Sequence, residues 1–335
     1  MLPGECVEGD ARYVGRLTRG GRKLENGRDT QAACMALAAT AILSLTDNFV
    51  YAVSQEAGLW QFQVFRALIA LPLLLLAARL SNRSIRPVRP RYVALRSMTV
   101  AGGLLIYFGC LGALPVAQAS GGLFSAPLWV LLLSAALLGV RIRPIQAIAI
   151  VAGFAGALLL LRPDVGNLTL LSVMPLGAGL FYGMGVLMTR HLCANERAMT
   201  LAFGIFLTMG TIGAVMLGVT TVLPGAEART DFITQGWVTP TPRFLLLTAL
   251  QSGGAVIAVT LIANAYRIGT SSFVAVFEYA FLIFASLWAM LLWGDSTDAL
   301  GWTGIGIIVA SGIAMSVSER RRARRVAGTG PLDTH

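Results

Sequence analysis

Three ionisable residues sit inside long apolar runs of this chain. They are Asp47 in "SLTDNFVYAV", Arg66 in "QVFRALIALPLLLL" and Glu278 in "FVAVFEYAFLIFASLWAM". A charge costs several kcal/mol in such surroundings, so each marks a candidate binding or coupling site. An arginine offers a planar fork of donors that matches a carboxylate, and an aspartate beside it can hold the fork or receive an amine. Two readings of Asp47 and Arg66 therefore stand: a structural ion pair between neighbouring segments, or a substrate-binding pair. No counter-charge is evident for Glu278. A buried carboxylate of that kind is a candidate proton carrier, or a neutral hydrogen-bond donor. Tyr51, Gln251 and Tyr279 share these runs and complete the candidate pathway.

The elements that must position these residues are helices in a bilayer. Hydrophobic residues make up 56% of the chain and charged ones only 13%, outside the soluble range. A hydrocarbon core of roughly 30 Å needs about 20 apolar residues per helix. Ten runs of suitable length fall near 32–53, 60–80, 93–114, 117–139, 144–161, 169–189, 199–223, 244–265, 270–293 and 299–317. They are apolar on every side, unlike the alternating strands of a membrane barrel. The expected fold is an all-α polytopic membrane protein of ten transmembrane helices. Residues 1–31 and 319–335 are expected as basic tails, the first Gly- and Arg-rich and flexible.

The net charge of +10 lies along the chain in an alternation that flanking topology demands and nucleic-acid binding does not. Arginines cluster before the first run, after the second, between the fourth and fifth, and at the C-terminus. Of the 26 basic residues, only Arg162, Arg229 and Arg243 fall on the opposite side, and Arg66 lies within a run. By the positive-inside rule both termini are cytoplasmic. That topology puts Asp47 roughly 20 Å above the cytoplasmic side, level with Arg66, and Glu278 roughly 12 Å in, near midplane.

An internal repeat is visible. "GALPVAQASGGLFSAPLWVLLLSAALLG" can be laid over "NAYRIGTSSFVAVFEYAFLIFASLWAMLLWG" at an offset near 152 that drifts to about 156. Residues 32–161 and 169–318 thus form two halves of five helices each. Five is odd, so the halves must be inverted relative to one another, with a substrate site expected between them. Gly153, Gly156, Gly179 and Gly183 are suited to close helix packing, and Pro127 and Pro175 interrupt their helices. Cys6, Cys34, Cys110 and Cys193 have no metal or redox spacing, and His191 and His335 are not placed for a metal site. No catalytic elbow or phosphate loop is apparent, so neither an enzyme nor a bound cofactor is indicated.

With these motifs the chain resembles the EamA-type members of the drug/metabolite transporter superfamily over about residues 32–318. The stretches that carry the resemblance are "SLTDNFVYAV", "QVFRALIALPLLLL", "SAPLWVLLLSAALLG", "GFAGALLLLRP" and "AYRIGTSSFVAVFEYAFLIFASLWAMLLWGD". Most specific are the arginine after "QVF" and the triplet Phe277-Glu278-Tyr279. The resemblance implies a secondary carrier in the inner membrane, its central cavity lined from both halves. Members move amino acids and related metabolites, and the similar branch includes carriers proposed for riboflavin or S-adenosylmethionine. The chain departs from its relatives at Tyr51, where they commonly carry a lysine, at Val140, where they carry a glutamate, and at Asp295, where glutamate is usual.

Overall fold

The structure, a computed structural model, describes residues 7–82, 84–161, 170–222, 231–268 and 271–328. Side chains are described from Thr30 onward in these segments, apart from those of residues 170, 172, 271–273, 275, 315, 316 and 318–328. Among the described residues every regular element is a helix. These are α1 (Val7–Ser54), α2 (Leu59–Leu80), α3 (Pro90–Cys110), α4 (Val116–Leu123), α5 (Ala126–Leu138), α6 (Pro144–Leu161), α7 (Leu170–Leu192), α8 (Ala198–Val222), α9 (Pro242–Ile268), α10 (Ser271–Glu278), α11 (Ala280–Trp293) and α12 (Ala299–Gly328). Among the described residues, eight segments are long and apolar enough to cross a membrane, the α4–α5 stretch counting as one.

Helix α1 differs from expectation at its start, because it runs back to Val7 through the stretch read as a flexible tail. No proline interrupts residues 7–54, so nothing breaks the hydrogen-bond ladder. The starts of α3, α6 and α9 are marked by Pro90, Pro144 and Pro242, where a missing N–H costs nothing.

The interior is assembled from helix pairs. α1 lies along α9, α2 along α8, α3 along α7 and α6 along α12, while α11 packs on α1 and α4. Small residues set these approaches. Gly156 and Gly304 face each other's carbonyls, so that a methyl on either would press on the opposite backbone at 2.9 or 2.7 Å. Gly122 of α4 lies so close to Pro175 of α7 that a Cβ would overlap its backbone. Backbone cannot swing aside as a flexible side chain can. Gly122→Ala is therefore expected to destabilise the folded protein by about 1–3 kcal/mol, read as a lower melting temperature in detergent. An unchanged melting temperature would mean that α4 and α7 separate freely.

Two of the expected spans are broken. The first divides at Phe124-Ser125, where Pro127 has no N–H to offer the Leu123 carbonyl and the Ser125 hydroxyl donates to the Gly122 carbonyl at 2.6 Å. The second divides at Tyr279, where the Leu282 N–H donates to the Tyr279 carbonyl at 3.2 Å in a tightened turn. The two breaks fall in corresponding places. A single shift of 155 residues carries Val116–Leu123 onto Ser271–Glu278 and the start of α6 onto the start of α12. The same shift carries Gly139 onto Gly294, which cap α5 and α11 at φ 64° and 75°. Those left-handed caps admit glycine at no steric cost, and they end both helices in one geometry.

Candidate functional site

Two polar clusters lie within the bundle. The first joins Asp47 of α1, Arg66 of α2, Tyr107 of α3 and Gln251 of α9. The Tyr107 hydroxyl donates to Asp47 Oδ2 at 2.8 Å, and Gln251 Nε2 donates to Asp47 Oδ1 at 3.1 Å. Gln251 then accepts through Oε1 from Arg66 Nε at 2.8 Å. The two charges are thus joined through an amide rather than in direct contact. Arg66 also donates to Gln63 Oε1 at 3.3 Å, and its guanidinium is held between the Phe108 and Phe206 rings, 4.4 and 4.8 Å from their centroids. All of these polar residues are buried. Gln63 Nε2 lacks a protein partner, so one buried donor beside Arg66 is unspent.

The heptad-like reach of helices explains the grouping. Gln63 and Arg66 are three residues apart on α2 and so share a face. Tyr107 stands one turn before the end of α3, and its hydroxyl extends from an otherwise apolar cluster that includes Phe62, Phe108 and Met209. Asn48, next to Asp47, donates to the Ser44 and Ala285 carbonyls at 2.8 and 3.4 Å. The Trp288 indole donates to the Ala41 carbonyl at 3.1 Å. These contacts fix α11 on α1.

The second cluster surrounds Glu278, the last residue of α10 before the break. The Tyr266 hydroxyl lies beside its carboxyl, and Tyr182 and Tyr279 lie within electrostatic range of it. Tyr182 in turn lies near Arg96, whose Nε donates to Thr189 Oγ1 at 2.9 Å. Tyr182 is thus within electrostatic range of both Glu278 and Arg96. Tyr279 is buried against Phe124, with ring centroids 5.6 Å apart, and Phe124 meets Phe281 at 5.5 Å. The two helix breaks therefore touch through their aromatic residues. Gly312 of α12 makes room for the Tyr279 ring, which would overlap any Cβ at that position.

The clusters occupy different levels. Gln251 and Tyr266 are both on α9, and their 15-residue separation is about 22 Å of helix. Glu278 is accordingly nearer the arginine-rich end of the bundle than Asp47 is. Among the residues expected from sequence, Asp47, Arg66 and Gln251 come together, and Glu278 adjoins Tyr279. Tyr51 joins neither group. It is half exposed, with Trp293 edge-on at 6.2 Å. Sequence reading did not single out Tyr107, Gln63, Tyr266 or Arg96. Gln63 and Arg66 at i, i+3 form a signal that could have been read, whereas the others meet their partners only across helices. The described residues contain no group of His, Cys, Asp and Glu suited to a metal ion.

Residues 30–162 match the model of the EamA-like transporter family. A riboflavin transporter of Rhizobium johnstonii is 26% identical over 274 residues, covering 82% of this chain and 84% of that protein. A riboflavin transporter of Vibrio cholerae is 24% identical over 246 residues, 73% of this chain and 77% of its own. A pseudopaline exporter of Pseudomonas aeruginosa is 24% identical over 287 residues, 85% of this chain and 96% of its own. One protein of known crystal structure superimposes with a TM-score of 0.61 at 19% identity, covering 87% of this chain and 98% of that one, a likeness of fold.

Proposed function

We propose that this chain, whose residues 30–162 match the EamA-like transporter family, is an inner-membrane secondary carrier of a small polar metabolite, an amino acid or related compound, working by alternating access. The observation that carries this reading is the pair of broken helices, equivalent by a 155-residue shift and touching at Phe124 and Tyr279, with Glu278 immediately before one break. Interrupted helices in corresponding positions of two halves supply irregular backbone and helix ends where a polar solute can be bound within a bilayer.

The same shift supports ten spans in two inverted halves, 32–161 and 169–318. α7 and α12 would complete the count beyond the eight apolar segments. The contact of α1 with α9 has its counterpart in that of α7 with α3, as exchange of halves requires. In this reading Asp47, Arg66 and Gln251 form the outer part of the pathway, Glu278 and Tyr279 form its inner gate, and both termini are cytoplasmic. A reporter fused at the C-terminus is then expected to read as cytoplasmic and one near Asp231 as external. The opposite pattern would invert the map.

A second substrate class, riboflavin, is favoured by the aromatic faces of Phe124, Tyr279 and Phe281 at the breaks, on which a flat ring system could stack, and by two relatives that are riboflavin transporters. A thermal-shift series with the purified carrier separates the classes. A ligand at about 100 times its Kd stabilises the folded state by about 2.7 kcal/mol. Stabilisation by amino acids supports the first class, stabilisation by riboflavin replaces it with the second, and stabilisation by S-adenosylmethionine assigns a cofactor cargo. If none stabilises the protein, all three classes are excluded.

A further inference from the structure

A cavity of about 590 Å³ opens between α2, α3 and α8 at the arginine-rich end, away from both polar clusters. Its rim carries Arg79 and Arg86, both exposed. It is also lined by Leu75, Phe203 and Leu207, and the helix surface around it is apolar, with Leu76, Leu80 and Met98 all exposed. Two hydroxyls, Ser97 and Thr200, also line it. They are 1% and 3% exposed, and neither Oγ has a hydrogen-bond partner.

That lack is unusual for these helices. Thr99 on the same α3 donates to the Leu95 carbonyl at 3.0 Å, and Thr208 on the same α8 donates to the Gly204 carbonyl at 2.8 Å. A buried hydroxyl left unpaired costs roughly 1–3 kcal/mol, but both oxygens are closed off from the cavity, and Ser97 Oγ lies against Gly204 of α8, so these residues form its wall rather than its ligands. The rim is also held in place. The Glu196 carboxylate accepts from the Val88 and Arg89 N–H groups at 3.0 and 2.6 Å, and Arg197 donates to the Ser84 carbonyl at 3.4 Å. Among the described residues that line the cavity, Arg79 and Arg86 are the cations.

We propose that this cavity binds an anionic phospholipid, its phosphate held by Arg79 and Arg86 and its acyl chain laid along the apolar wall. The cavity combines apolar and cationic side chains, and it adjoins a lipid-facing surface, which suits an amphiphile better than a free anion. The site stands independently of the transport pathway, and neither Asp47, Arg66 nor Glu278 lines it.

The test is native mass spectrometry and thermal melting of the full-length protein in detergent, with phosphatidylglycerol, phosphatidylcholine or inorganic phosphate added. Retained phosphatidylglycerol with a raised melting temperature, and neither effect from phosphatidylcholine or phosphate, is the expected result. Arg79→Gln with Arg86→Gln should weaken phosphatidylglycerol retention on the order of tenfold. Ser97→Ala with Thr200→Val should leave retention at the wild-type level, because neither hydroxyl is reached from the cavity. Equal retention of the two lipids would overturn the proposal, as would stabilisation by phosphate alone. Wild-type phosphatidylglycerol retention in the arginine double variant would do the same.

Discussion

Glu278→Gln is expected to remove the pH dependence of transport and to lower its rate by about tenfold or more, equivalent to at least ~1.4 kcal/mol in the coupled step. A carboxyl that loads a proton on one side and releases it on the other makes flux rise as the loading side is acidified. An amide cannot exchange that proton, so the flux becomes flat with pH. The substitution keeps the size and the hydrogen-bonding capacity at the Tyr266 hydroxyl, and the variant should therefore fold. Proton-coupled uptake into proteoliposomes at a series of external pH values, alongside a melting curve, separates the roles. Wild-type pH dependence in a folded variant would remove Glu278 from the coupling mechanism. Loss of folding would instead assign it to packing at the helix break.

The second large effect is expected at Arg66. Arg66→Ala leaves Asp47 buried with its hydrogen bonds but without the cation that neutralises it, a loss of about 3–5 kcal/mol. The melting temperature should fall by roughly 10 °C. Asp47→Asn combined with Arg66→Gln removes both charges and should recover much of that loss, because the partners are coupled and their effects do not add. A stable double variant without transport would assign Arg66 to substrate binding as well as structure. Normal transport in the double variant would confine the pair to tying α1, α2 and α9 together, and wild-type stability in Arg66→Ala would dismiss even that.

Much of this architecture could be read in the chain. Length and hydropathy of the apolar runs decide that the elements are helices at membrane depth, because unpaired backbone groups have no other partner in hydrocarbon. Pro127 announces the first helix break, since its ring withholds the hydrogen bond. The second break, at Tyr279, has no such local mark. It lies where the Tyr279 ring enters the space left by Gly312 and stacks against Phe124, contacts made across 33 and 155 residues of sequence.

The candidate site divides in the same way. Asp47, Arg66 and Glu278 stand out from sequence because charge is costly in an apolar run, and that cost is a property of the residue and its near neighbours alone. Gln251 stands out too, as a polar residue in an apolar run, but its pairing does not, and neither does Tyr266. Gln251 bridges Asp47 and Arg66, and Tyr266 lies beside Glu278, because α9 lies along α1 and ends beside α10. The sequence by itself determined that this is a helical membrane protein with three charges to satisfy inside the bilayer. Only the tertiary structure decided which group satisfies each, because a hydrogen bond depends on ångström-scale proximity between helices that sequence spacing does not encode.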